Sequence, residues 1–165
     1  MTLDGRVAGA PISWGVCEVP GWGHQMTAER VLSEMRAAGL GATELGPEGF
    51  LPPARARALL EKNGLQLAAG FVPAVLHDEV DLRGGLDAIG ASAGLIADLG
   101  GQMLVLAAAT SGEGYEAAER LDRDGWSALG RGIDRVVALA SDRDLRVALH
   151  PHHGTVVERP ADIQR

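Results

Sequence analysis

One cysteine, Cys17, and one lysine, Lys62, stand among 165 residues. A single thiol can form neither an internal disulfide nor a Cys-rich zinc knuckle, so neither staples this fold, and the composition fits a reducing cytoplasm. Lys62 falls near the end of a predicted helix and away from any strand tip, which argues against a Schiff-base enzyme built on a buried amine. Basic residues are also scarce. With 15 Lys and Arg against 22 Asp and Glu, the net charge of −7 has the wrong sign for a surface that neutralises phosphates, and no nucleic-acid partner is expected. The first residues lack a basic region followed by an apolar core, and the longest apolar runs are broken by Asp98 and Gln102, so neither a signal peptide nor a membrane span is expected. Glycine, by contrast, is abundant: 23 residues, roughly twice the usual ~7%, placed singly between apolar stretches without a collagen-like period.

The hydrophobic periodicity alternates between two types along the whole chain. Val7 to Trp14 reads as a short strand closed by Gly15. Thr27 to Ala38 reads as a helix, with Thr27 as N-cap, an apolar stripe at Val31, Leu32, Met35 and Ala38, and Gly39 as the stop. Ala42 to Leu45 is a second strand. Pro52 and Pro53 open a second helix that runs to Asn63, and Leu65 to Val72 is a third strand after Gly64. Leu86, Ile89, Ala93, Ile96 and Leu99 mark a helix over Gly85 to Leu99, and Met103 to Ala109 a fourth strand. Asp124 to Ser141 carries another stripe, and Arg146 to Leu149 begins a fifth strand.

Strands that are apolar on both faces and separated by helices need crossover connections, so the class is α/β with a parallel sheet. Two closures satisfy this order: a complete five-stranded open sheet of flavodoxin type, or the first five units of a TIM-type (β/α)8 barrel. An open sheet would normally cover its fifth strand with a final helix, whereas little chain follows Leu149 and it contains Pro160. A barrel of ~250 residues is longer than this chain. The reading taken is therefore one domain over 1–165, the N-terminal part of a truncated barrel. Its first and fifth strands would be open edges, and self-association into a homo-oligomer or poor solubility is expected.

The densest polar cluster is His150-Pro151-His152-His153-Gly154-Thr155, directly after the apolar Val147, Ala148 and Leu149. It sits at a strand's carboxyl end, where ligands bind in α/β folds, and neutral imidazoles are common metal ligands. A His-rich surface turn is the plain alternative. Three imidazoles at one tip favour a site, since buried ring nitrogens need partners. The two-residue alternation of a strand would send His150 and His152 to one side and His153 elsewhere. Glu44, at the end of Ala42-Thr43-Glu44-Leu45, is placed to bind a sugar hydroxyl or move a proton, or to be a solvated loop charge. Trp14 offers an indole floor for a sugar face, or core packing. His77 and Asp78, after the third strand, are further ligand candidates or ordinary loop residues. The glycines around Gly94, Gly100 and Gly101 form no phosphate-binding fingerprint, so no dinucleotide site is expected.

Two segments together, Pro11-Ile12-Ser13-Trp14-Gly15 with Gly41-Ala42-Thr43-Glu44-Leu45-Gly46, and His150 through Glu158, resemble the inosose dehydratases of the xylose isomerase-like sugar isomerase and epimerase superfamily. The resemblance covers nearly the whole chain in element order, and the His-x-His-x-Gly-Thr tip is its most specific part. It implies a barrel that binds a divalent metal (manganese, cobalt or zinc, with magnesium also admitted) and acts on polyols or ketoses in inositol catabolism. The resemblance implies that His150 takes the place of a metal ligand, that His152 and Glu44 are catalytic, and that Trp14, Glu44, His77 and His153 contact substrate. The resemblance also implies an Asp, a His and a Glu on strands six to eight, beyond Arg165, so that this stretch alone would be inactive. One departure stands out: Ala107-Ala108-Ala109-Thr110 lies where the dehydratases carry a carboxylate at the end of the fourth strand, which leaves isomerase or epimerase chemistry open beside dehydration.

The expected function is therefore a sugar or polyol dehydratase, isomerase or epimerase that abstracts a proton next to a carbonyl with metal assistance. The rival from another class is a non-catalytic polyol-binding module with an incomplete metal site. An endonuclease-like member of the superfamily is disfavoured by the negative charge and the lack of basic clusters near the strand tips.

Overall fold

The computed structural model describes residues 7–17, 21–112 and 119–165. Five strands form one sheet in the order β1-β2-β3-β4-β5: β1 Ala8–Gly9, β2 Ala42–Glu44, β3 Gln66–Ala74, β4 Met103–Ala108 and β5 Arg146–Leu149. Between them run α1 Ala28–Ala37, α2 Pro53–Asn63, α3 Glu79–Asp98 and α4 Arg123–Ser141, and a single turn, α5 Pro160–Ile163, follows β5. Sequential order without a reversal is what successive βα units of a barrel give, whereas a doubly wound sheet reverses at a switch point. The open flavodoxin-type closure is thereby set aside. No helix among the described residues is long and apolar enough to cross a membrane.

The chain folds as two compact units, Met1–Phe71 with Leu95–Met103, and Val72–Gly94 with Leu104–Arg165. In the first, β1 and β2 are parallel, with Ala8 beside Ala42 and Gly9 beside Thr43. Gly9 lets the side chains of Leu40 and Met35 pack against the strand, since a Cβ there would come within 2.7 Å of Leu40 Cδ1 and make that side chain shift. Thr27 caps α1 as its spacing predicts, accepting from the Arg30 amide. Val31, Leu32 and Met35 are fully buried on one face of α1, each stabilising the unit by about 1.5–3 kcal/mol relative to exposure. Helices α1 and α2 pack together, with an ion pair between Glu29 and Arg55 at their surface. Ile96 fills the space left by Gly70 and Gly101.

In the second unit, Asp122 caps α4 by accepting from the Gly125 amide at 2.8 Å. Leu129, Gly132, Val136 and Ala140 form the buried stripe of α4. Gly132 is the tightest point, since a Cβ there would lie 2.1 Å from the Leu76 carbonyl oxygen. Beyond β5 the chain folds back: the Val156 amide donates to the Ala108 carbonyl at 2.9 Å, and Ala109 and Thr155 form an antiparallel bridge.

Two boundaries differ from the sequence reading by more than two residues. The first strand stops at Gly9, and Pro11–Trp14 is a 3-10 turn closed by Gly15 at φ 81°. Pro11 lacks an N–H and has its φ fixed near the helical value, so it starts a helical turn as readily as it would end a strand run. The third helix starts at Glu79 rather than Gly85. Its entry is held by Asp78, whose Oδ1 accepts from the amides of Val80 at 2.8 Å and Asp81 at 3.0 Å. Those two bonds hold the Asp78 carboxyl below its ordinary value.

Candidate functional site

Of the candidate residues, Trp14 and Glu44 belong to the first unit and the four histidines to the second. Trp14 lies on the 3-10 turn rather than at a strand end, and its indole N–H donates to Glu34 Oε2 at 3.0 Å. Glu34 also accepts from Arg30 Nε at 2.9 Å, and that contact is the main reason its carboxyl is held below the ordinary range. Glu44 is the last residue of β2 and half-buried. The register slips beside it: Thr43 pairs with Leu67 but Glu44 with Ala69, so β3 contributes one extra residue. Such a bulge turns the following side chain away from the regular alternation. Thr43, fully buried, donates its hydroxyl to the Glu44 carbonyl at 2.9 Å.

A recess of about 600 Å³ in the first unit is lined by residues that include Cys17, Met26, Glu48 and Phe50. It contains none of the candidates.

In the second unit β5 delivers the histidines. The His150 amide donates to the Leu106 carbonyl at 2.8 Å, one residue past the strand, and the His152 amide donates to the Val157 carbonyl at 3.1 Å. The His150 and His152 rings lie with centroids 5.7 Å apart, tilted by 44°. Nδ1 of His152 is 2.8 Å from the His153 carbonyl oxygen. A carbonyl only accepts, so Nδ1 carries the proton and Nε2 bears the lone pair of the neutral ring. That tautomer suits a proton acceptor or a metal donor at Nε2. Thr155 braces the turn, its hydroxyl 2.7 Å from the His152 carbonyl oxygen and 3.1 Å from that of Val157.

His153 is placed differently. Its side chain is 77% exposed, and Nδ1 pairs with Glu158 Oε1. That hydrogen bond is the largest reason the Glu158 carboxyl lies below its ordinary value near 4.5. The folded value being depressed, whatever this pair contributes is present above about pH 4.5 and is lost as pH falls through the folded value. His153→Ala is therefore expected to move the Glu158 carboxyl titration upward toward its ordinary value, as read by ¹³C NMR of the side-chain carboxyl. An unmoved titration would refute the assigned cause.

His77 stands beyond β3 with only 7% of its side chain exposed. Its Nε2 is 2.8 Å from Glu119 Oε1, and the Ser111 amide donates to the other carboxylate oxygen, Oε2, at 3.0 Å. The Ser111 hydroxyl oxygen is 3.4 Å from the same His77 nitrogen. Sequence reasoning missed Glu119. It sits in an irregular segment with no periodic signal, and only the fold brings it beside Ser111, just past the end of β4.

No family model matches the chain. It is 29% identical over 168 residues to the inosose dehydratase of Geobacillus kaustophilus (strain HTA426), covering 97% of this chain and 54% of that protein. It is 31% identical over 166 residues to the rhizopine catabolism protein MocC of Rhizobium meliloti, covering 97% of this chain and 51% of that protein. The chain thus spans about half the length of the curated relatives it matches. Among solved structures it superposes on L-ribulose 3-epimerase with a TM-score of 0.66 at 20% identity, covering 90% of this chain and 49% of that one. A xylose isomerase-like TIM barrel protein from Mycobacterium smegmatis, in complex with magnesium, gives a TM-score of 0.62 at 16% identity, with 96% and 58% covered. The five-stranded sheet with alternating helices is a partial TIM-type barrel.

His150 and His152 are donors of a type that divalent ions accept. Among the described residues, however, no group of three or more His, Cys, Asp or Glu lies close enough to hold an ion. The two imidazoles are a partial donor set and do not by themselves make a metal centre.

Proposed function

We propose that this chain, similar over nearly its whole length to inosose dehydratases and folded as part of a TIM-type barrel, belongs to an enzyme that abstracts a proton next to the carbonyl of an inosose or a related ketose. The observation that carries the reading is the adjacent His150 and His152 pair just past β5, with His152 oriented by the His153 carbonyl so that Nε2 holds a lone pair. In the proposal His152 Nε2 takes the proton from the carbon beside the carbonyl, and the released electron pair forms an enediolate. Expulsion of the hydroxyl on the next carbon, which takes up the proton held by His152 and leaves as water, completes a dehydration; delivery of a proton by a second acid to the opposite face of the same carbon completes an epimerisation, and return of the His152 proton to the former carbonyl carbon, with the hydroxyl proton passing between the two oxygens, completes an isomerisation. Within the second unit, His77 and His153 are assigned to substrate contact, and His150 to donation toward a divalent cation whose remaining ligands lie outside this set.

The test uses the whole protein, stripped of metal with a chelator and then supplied with manganese or cobalt. Loss of 2-keto-myo-inositol, and turnover of a panel of ketoses, is expected only with metal restored. No metal-dependent turnover of any of them ends the proposal.

One observation favours a second reading, a polyol-binding module without catalysis: β4 ends in the fully buried Ala107 and Ala108, which offer no acid or base. Saturable binding of myo-inositol by the whole protein, with no turnover under any metal, would decide for it.

A further inference from the structure

The most unusual polar group in the second unit is His77 Nδ1, which is buried and has no hydrogen-bond partner among the described residues. Buried polar atoms are nearly always satisfied, so an orphan of this kind needs an explanation. The opposite side of the ring supplies the context. Glu119 faces Nε2 at 2.8 Å with one carboxylate oxygen, while its other oxygen is fixed by the Ser111 amide at 3.0 Å. An ionised carboxylate only accepts, so it selects the ring form with its proton on Nε2. The neutral ring then holds its lone pair at Nδ1. Carboxylates placed behind histidines act in this way generally, fixing the tautomer and raising the basicity of the far nitrogen.

We propose that Glu119 is a positioning residue that locks His77 in the Nε2–H form and so keeps a lone pair at the buried Nδ1, an acceptor for a hydroxyl proton of a polyol or ketose that displaces the groups covering it. The ligand class rests on the function proposed above; the tautomer lock does not. The alternative acceptor roles fit less well. A backbone amide is not within reach of Nδ1 among the described residues, and a cation needs more donors than gather at this position. A hydroxyl needs only one lone pair in a fixed direction. The arrangement also places a carboxylate just past β4, which ends in Ala107 and Ala108.

The experiment is long-range ¹H–¹⁵N NMR of the imidazole rings in the full 165-residue chain, as wild type, Glu119→Gln and Glu119→Ala, with myo-inositol as the probe. In the wild type His77 is expected as the Nε2–H tautomer with Nδ1 unprotonated. Glu119→Gln keeps a side-chain carbonyl able to accept from Nε2 and is expected to retain that tautomer. Glu119→Ala is expected to give a mixture of tautomers. Titration with myo-inositol should shift the Nδ1 resonance of the wild type, with an affinity about tenfold weaker in Glu119→Ala, the scale of one good hydrogen bond.

A wild-type ring protonated on Nδ1, or a Glu119→Ala ring unchanged from wild type, overturns the lock whatever the activity assays give. A correct tautomer with no Nδ1 shift on adding myo-inositol overturns the acceptor role, even if the whole protein turns over a ketose. The expected tautomers and shift in a protein without turnover would support this inference while ending the catalytic reading.

Discussion

Gly132→Ala is expected to destabilise the chain by about 3 kcal/mol, the upper part of the usual range for overpacking, and to lower the urea midpoint by about 1.5 M. The added methyl would sit 2.1 Å from the Leu76 carbonyl oxygen and 3.0 Å from its carbon, and backbone cannot swing aside as the end of a side chain can. Gly130, two residues earlier on the same helix, is the control. It is exposed, and a methyl added there would meet nothing within 4 Å, so Gly130→Ala should stabilise α4 by about 0.5–1 kcal/mol through helix propensity alone. Opposite signs at two glycines in one helix separate packing from backbone entropy. The strain also has a functional address, because Leu76 is buried immediately before His77. A shift of the Leu76 backbone displaces the adjacent His77, so the His77 imidazole resonances should change in Gly132→Ala and remain unchanged in Gly130→Ala. Equal melting curves for both variants would refute the close approach.

His152→Ala is expected to reduce kcat of the whole protein by about 10²–10⁴-fold with a smaller change in KM, the pattern left when a group acting on the moving proton is removed. The geometry specifies a second variant. His152 is oriented through Nδ1 by the His153 carbonyl, a backbone contact that survives His153→Ala, so that substitution should leave the kcat of the His152 step within a few fold. A His152→Ala protein with undiminished kcat would move the proton acceptor elsewhere. A large loss in kcat from His153→Ala, with His152 itself dispensable, would exchange the roles assigned to the two rings.

The helices were legible because their signals are local. Thr27 and its Arg30 amide, the stripe of Val31, Leu32 and Met35, and the Gly64 stop after α2 at φ 60° all lie within a few residues of one another. The same holds for the His150 and His152 pair, since a period of two along an extended segment puts alternate side chains on one side. Reading failed where one residue serves two grammars. Pro11 ends a strand run and starts a helical turn, and only the fold shows that Trp14 rides on the turn with its N–H bound to Glu34, 20 positions away. Asp78 escaped notice as a helix entry because an acid after a strand also reads as a ligand or a loop charge.

The sequence by itself determined the alternation of strands and helices and the polar tip at His150-Pro151-His152, since backbone preference and hydrophobic period act over short separations. Tertiary structure alone decided the sequential strand order, the close approach of Gly132 to Leu76, the register slip beside Glu44 and the Glu119 contact with His77. Glu119 is 42 positions from His77, and no local pattern encodes a hydrogen bond between two side chains that only packing brings to 2.8 Å.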